Sequence, residues 1–374
     1  MKKVVAVGMF DSVHFARWLE QFQDQEISFI LFPSSPHRRI HPKLSMLLNS
    51  RGRAHYSLVP LSRYFGLPLW ILDKLLDNSS RGFLLRRVIS NAKPDFVHAL
   101  ELQNAGYLVL KSLGRSKPEK LKIIITNYGS DIFWFRRFPK HLRKLNALLA
   151  IADIYSAECE RDVSLAKELG FVGTTMPVRP NAGGLSEGLL SAALTEVAER
   201  KTIAIKGYHG WVGRAHVAVE AISKIASQLR EYRVVFYSGN LSTIRLAKKL
   251  AKRTGLDIEI NKKGALSHEQ MLNLFGRCAV YVGLSESDGI STSLLEAMAM
   301  GAVPVQTSTA CCDEWFSEET GVAIKNIEAG EVSKGILRAL ELSKLGLAAK
   351  KNRQTIRNKA SESFVKEAAL LYYR

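Results

Sequence analysis

The sequence predicts an α/β protein made of two doubly wound, parallel-sheet domains. Three observations carry this expectation. Short β-rich runs alternate with helical patterns along the chain, as parallel strands joined by crossover helices require. The alternation restarts near residue 202, after a stretch rich in Pro, Gly and Asn that breaks regular structure. The chain has 374 residues, which is long for one ordinary core and suits two.

In the first half, "KVVAVGM" (3–9) reads as a strand, "SVHFARWLEQF" (12–22) as a helix with one apolar face, and "EISFILFP" (26–33) as a strand. Further strands are expected within 93–100, 120–128 and 148–158. "PVRPNAGGLSEG" (177–188) reads as the connection between domains. The second half is a cleaner series. Strands are expected at 202–208, 232–239, 258–261, 279–284 and 303–307, with helices at 216–229, 241–255, 267–278 and 291–301. The tail from Lys350 reads as a helix carrying "FVKEAALLYY". The expected division is 1–182, 183–350 and a terminal helix at 351–374.

Composition narrows the function classes. The formal net charge of +18 predicts attraction to polyanions: nucleic acid, acidic lipid or phosphorylated substrates. The charge concentrates in "HRRIHPK" (37–43), "RGR" (51–53), "LLRRV" (84–88) and "WFRRFPKHLRK" (134–144). No RNP, zinc-finger or helix-turn-helix signature accompanies it, so an anionic acceptor or membrane face is expected rather than nucleic acid. The four cysteines form no CxxC pair, and buried, reduced thiols without a metal are expected. The opening "MKKVVAVGMF" has too short an apolar stretch for a leader. No run reaches the roughly 18 apolar residues of a membrane span. "FGLPLWILDKLL" (65–76) reads as a buried helix or one that dips into a lipid surface.

The most informative stretch is "SESDGISTSLLEAMAMGAVPVQ" (285–306), set between two apolar runs. Ser291 or Thr292 can cap the helix that follows, whose start exposes backbone N–H groups and a positive dipole end. A phosphate or sugar hydroxyl can dock there. Asp288, in the loop, can accept hydrogen bonds from sugar hydroxyls, and Glu296, further along the helix, can reach a second ring. On spacing alone, Ser293-x-x-Glu296 also reads as a capping box, with the acid spent on backbone donors.

"DGISTSLLEAMAMGAVPV" resembles the E-x7-E segment of the retaining glycosyltransferases of family 4. Asp288 and Glu296 stand at the two acid positions, and Gly289, Ala297, Gly301 and Pro304 also fit. Asp288 departs from the more common Glu, being one methylene shorter. The resemblance implies a GT-B fold: two Rossmann-like domains facing a central cleft, with a C-terminal helix crossing back. It implies metal-independent, retaining transfer from a UDP- or GDP-sugar, with no cofactor. Asp288 would contact the donor sugar and Glu296 the ribose. "IKGYHGWVGRAH" (205–216) would supply Lys206 and Arg214 for the diphosphate, with Gly207 allowing close backbone approach. Ile290, Ser291, Thr292 and Leu266 would complete the donor pocket, together with Gly8 of "GMFDSVHF" (8–15).

Other segments resemble the family more loosely. "PDFVHALE" (94–101) places His98 at a strand end, expected to face the cleft. "NYGSDI" (127–132) has Tyr128 where the family usually has His, and a role assigned to that imidazole does not transfer. Tyr128, Asp131, Arg136 and Arg137 are the expected acceptor contacts. The implied acceptor is a glycan or a polyprenyl-diphosphate-linked precursor of a bacterial cell-surface polysaccharide. The implied location is cytoplasmic, on or near the inner face of the plasma membrane. Competing expectations are a nucleotide-sugar epimerase of the same fold, a polyanion- or glycan-binding protein, and an inactive transferase-like partner subunit.

Overall fold

The computed structural model describes residues 1–35, 37, 39–59, 71, 73, 75, 76, 79–114, 117–181 and 183–374. Residues 65–70 of the apolar segment "FGLPLWILDKLL" thus lie outside the described residues. Two compact units result: Met1–Gly184 with Ser363–Arg374, and Leu185–Glu362.

The first unit contains, among the described residues, a seven-stranded parallel sheet. Its strands are β1 (Lys2–Gly8), β2 (Ile27–Pro33), β3 (His55–Leu58), β4 (Phe96–Leu100), β5 (Lys122–Thr126), β6 (Ile154–Ser156) and β7 (Thr174–Thr175), in the order β3-β2-β1-β4-β5-β6-β7. Val4 to Val7 of β1 are wholly buried, as a strand covered on both faces requires. Helices Val13–Glu20 and Pro42–Leu48 cover one face through Phe15, Trp18, Leu19 and Leu44. Helices Ser79–Ala92, Tyr107–Leu113 and Pro139–Ile151 cover the other through Leu85, Ile89, Leu108, Leu145 and Leu148. The strand expected within 148–158 is only three residues long. Leu145, Leu148 and Leu149 continue a helical stripe, so the helix holds the chain to Ile151.

The tail is two helices rather than one. Leu347–Ala360 belongs to the second unit, and the expected boundary at 350 falls inside it. Glu362–Ala369 leads into the first unit. There Tyr372 and Tyr373 insert among Trp18, Phe22, Phe29 and Phe96 in edge-on and tilted contacts. The expected interdomain connection is largely fixed within the first unit. Arg179 is buried with its guanidinium over the Trp18 and Tyr372 rings. The Asn181 N–H donates to Glu158 at 2.9 Å.

The second unit has a six-stranded parallel sheet: β8 (Thr202–Lys206), β9 (Arg233–Gly239), β10 (Ile258–Lys262), β11 (Cys278–Gly283), β12 (Val303–Thr307) and β13 (Val322–Ile324). The order is β10-β9-β8-β11-β12-β13. Strand order therefore reverses between β8 and β11. In an open α/β sheet, the crevice beyond the carboxyl ends at such a reversal is where ligands bind. The loops leaving those two strands are 207–214 and 284–291, the two stretches singled out by sequence.

Candidate functional site

The two loops are tied together. The Ser285 hydroxyl donates to the Val212 carbonyl at 2.6 Å, and the Glu286 N–H donates to the Trp211 carbonyl at 2.9 Å. Arg214 forms an ion pair with Glu286. Gly207 fits because a Cβ there would lie 2.7 Å from the Tyr237 carbonyl oxygen of the neighbouring strand. At the end of β9, Ser238 adopts a left-handed φ of 54°. A serine held there is uncommon, and such residues cluster at binding sites.

Beside these loops lies a cavity of about 180 Å³. Lys206, Tyr208, Ser238, Lys262, Leu266 and Glu296 are among its walls, with His268, Met271 and Ser293. Lys206 and Glu296 come from opposite sides of the strand-order reversal. Burial works against the Lys206 charge, but Asp288, 3.9 Å from its Nζ, and the nearby tyrosines raise its pKa on balance. The ammonium therefore stays charged in the cavity wall. Asp288 itself is half-buried and accepts from the Gly289 N–H at 3.1 Å.

Helix Thr292–Ala299 starts at this site, with Ser291 at the N-cap position. The Ser291 hydroxyl makes no capping hydrogen bond, so it leaves the helix-start N–H donors to other partners. Ser293 lies inside the helix, and the Glu296 carboxylate meets His268 Nε2 at 2.7 Å. The capping-box reading of Ser293-x-x-Glu296 is therefore incorrect. A real capping box occurs nearby, at Ser267 and Gln270, opening helix His268–Gly276. That helix start is what brings His268 to Glu296.

Of the residues expected from sequence, Lys206, Leu266 and Glu296 line the cavity directly. Gly207, Asp288, Gly289, Ile290, Ser291 and Thr292 belong to the loops and helix start around it. Arg214 is not among the cavity walls and is held by Glu286. Tyr208, Ser238, Lys262 and His268 were not named individually from the sequence, although the stretches that hold them, 205–216, 237–240 and 261–271, leave strand ends and were legible as donor-side segments.

The first unit brings corrections. His98 was expected to face the cleft, but it is wholly buried with both ring nitrogens bonded. Trp18 Nε1–H donates to the Tyr373 hydroxyl at 3.3 Å, which leaves that hydroxyl to donate to His98 Nδ1 at 2.7 Å. His98 Nε2–H then donates to Thr126 Oγ1 at 2.7 Å. Burial, with the Arg179 charge adding, lowers the His98 pKa to about 3. His98 is a neutral core residue. Gly8 packs against Phe15, whose ring a Cβ would strike, so its small size serves the strand–helix contact.

Asp131 accepts from the backbone N–H groups of Leu102 at 2.9 Å and Tyr128 at 3.1 Å. These bonds fix the loop after β5. The Tyr128 hydroxyl is buried, and burial raises its pKa well above the ordinary value. Arg137 stacks 4.6 Å from the Trp134 ring centroid, and Arg136 lies 5.9 Å from that of Phe133.

Comparison with known proteins bears on the fold and on the second unit. Residues 190–361 match the model of the family described as glycosyl transferases group 1. No curated protein matches the chain. Solved structures similar to the whole chain include Alr3699/HepE of Anabaena in complex with UDP-glucose, at 13% identity and a TM-score of 0.68, covering 99% of each chain. Sucrose-phosphate synthase of Thermosynechococcus elongatus is similar at 12% identity and a TM-score of 0.71, covering 100% of this chain and 98% of that one. The UDP-forming trehalose-phosphate synthase of Burkholderia xenovorans is similar at 11% and 0.69, covering 100% and 99%. The chain thus has the fold of the GT-B glycosyltransferases, and its second unit carries the match to the group 1 family.

Proposed function

We propose that this protein is a retaining, metal-independent glycosyltransferase of family 4. In this reading it moves a sugar from a UDP- or GDP-sugar to a glycan or polyprenyl-diphosphate-linked acceptor of cell-surface polysaccharide synthesis, working on the cytoplasmic side of the membrane. One observation carries the reading: Lys206 and Glu296, 90 positions apart, share one cavity beside a helix start at the strand-order reversal.

Each group has a stated job. Glu296, oriented by His268, accepts hydrogen bonds from the ribose hydroxyls. Lys206 and the N–H donors of helix Thr292–Ala299 stabilise the negative charge that grows on the departing diphosphate. Asp288 holds a hydroxyl of the donor sugar. Arg214 supplies a further positive charge once a diphosphate competes with Glu286 for it. The UDP-glucose complex of the Anabaena protein supports a nucleotide sugar as the donor class.

The test incubates the protein with UDP-glucose and GDP-mannose, each with and without a lipid-linked glycan acceptor. A transferase releases the nucleoside diphosphate and extends the acceptor with the anomeric configuration retained. Isomerised nucleotide sugar from donor alone supports the epimerase instead. Absence of any donor turnover, with retained polyanion binding, replaces the reading with a binding protein.

A further inference from the structure

We infer that one helical face of the first unit docks on an anionic lipid bilayer. The inference extends the proposed acceptor class, but vesicle binding and donor turnover can fail independently. Helices Ser79–Ala92, Tyr107–Leu113 and Pro139–Ile151 are crossover helices on the same face of the sheet, and their inner sides share one core. Their combined sequence contains no Asp or Glu. It does contain Arg86, Arg87, Lys111, Lys140 and Arg143, all exposed. The next helix on that face, Glu160–Glu168, restores the acids, so the one-signed field is local.

The same face is apolar where a soluble surface is usually polar. Phe83 is 62% exposed and Leu84 44%, and Phe83 lies one helical turn from Arg87. At the start of the third helix, Phe138 is 45% exposed beside Arg137. Exposed Phe and Leu set among cations match an interface in which rings and aliphatic chains enter the headgroup layer while guanidinium groups bind lipid phosphates. A nucleic acid would use the cations but gain little from Leu84, which can neither stack nor hydrogen bond. Charge complementarity and the apolar side chains together therefore select an acidic bilayer.

The experiment is co-sedimentation of the full chain with vesicles of mixed phosphatidylglycerol and phosphatidylcholine, against vesicles of phosphatidylcholine alone. Binding is expected only to the anionic vesicles. Removing two charges from this face with Arg87→Gln and Arg143→Gln should lower partitioning on the order of twentyfold. Phe83→Ser with Leu84→Ser should also lower it, by about tenfold or more. Removing two charges elsewhere, with Lys248→Gln and Lys249→Gln, should leave it nearly unchanged. Thermal midpoints of all three variants identify any that have lost their fold. Equal partitioning by folded variants and the control overturns the inference. So does tight binding of single-stranded RNA with no binding to either vesicle.

Discussion

Glu296 is the residue on which the functional reading turns. It is nearly buried, yet its carboxylate is held by an exposed imidazole at the cavity wall. A carboxylate spent on helix capping would give a different mutational signature. Glu296→Gln is expected to weaken nucleotide-sugar binding by on the order of tenfold or more, with a thermal midpoint close to that of the wild type. Titration calorimetry beside a melting curve checks both. His98 behaves in the opposite way, as a stability residue. Its folded pKa of about 3 lies below the unfolded value, so the unfolded chain binds the proton more readily. Stability from this group is complete above about pH 6.5. It falls by about 1.4 kcal/mol per pH unit as the pH drops from there towards the folded pKa. The histidine ring signals of the folded protein should therefore include one that stays neutral throughout pH 5–8. A titration of His98 near 6.5 would contradict the buried network.

At the scale of elements, strands and helices with sustained apolar patterns were legible in the sequence. The central strands β1, β8 and β11 are buried on both faces and read as continuous apolar runs. β3, β7 and β13 were not legible, because two to four residues carry too little pattern, and β6 was expected only somewhere within a longer segment. Spacing also misplaced the capping box. It shows which residues can pair along a helix, but not where the helix begins. Gly207 was legible as a small residue near a ligand, and its structural reason is the neighbouring strand. Gly207→Ala should destabilise the second unit by about 1–3 kcal/mol, since its Cβ meets backbone rather than a movable side chain. Denaturant unfolding measures this. The C-terminal segment has a comparable role in the first unit. Tyr373→Ala removes a ring from the aromatic cluster and the hydroxyl that joins Trp18 to His98, and should cost about 3–5 kcal/mol.

At the scale of the whole molecule, the sequence foretold two parallel-sheet units and the loops around the strand-order reversal in the second. It could not reveal that Tyr373 lies against His98, because the two are 275 positions apart and no local pattern links them. Nor could it reveal His268 beside Glu296, which needs the two helix starts to converge. The same range limit explains why His98 looked like a site residue: a strand-end histidine shows its position but not what fills the space beyond it. The net charge of +18 has a molecular consequence as well. Association with anionic vesicles should weaken steeply as salt rises, whereas donor binding in a partly enclosed cavity should weaken less.

The central claim is that the second unit binds a nucleotide sugar in the cavity walled by Lys206, His268 and Glu296. The most direct measurement is calorimetric titration of the wild type and of Glu296→Gln with UDP, GDP and their sugars. Saturable binding of at least one of these by the wild type, much weakened in the folded variant, is the predicted result. A folded wild type that binds none of them, or a variant that binds as tightly as the wild type, would contradict it.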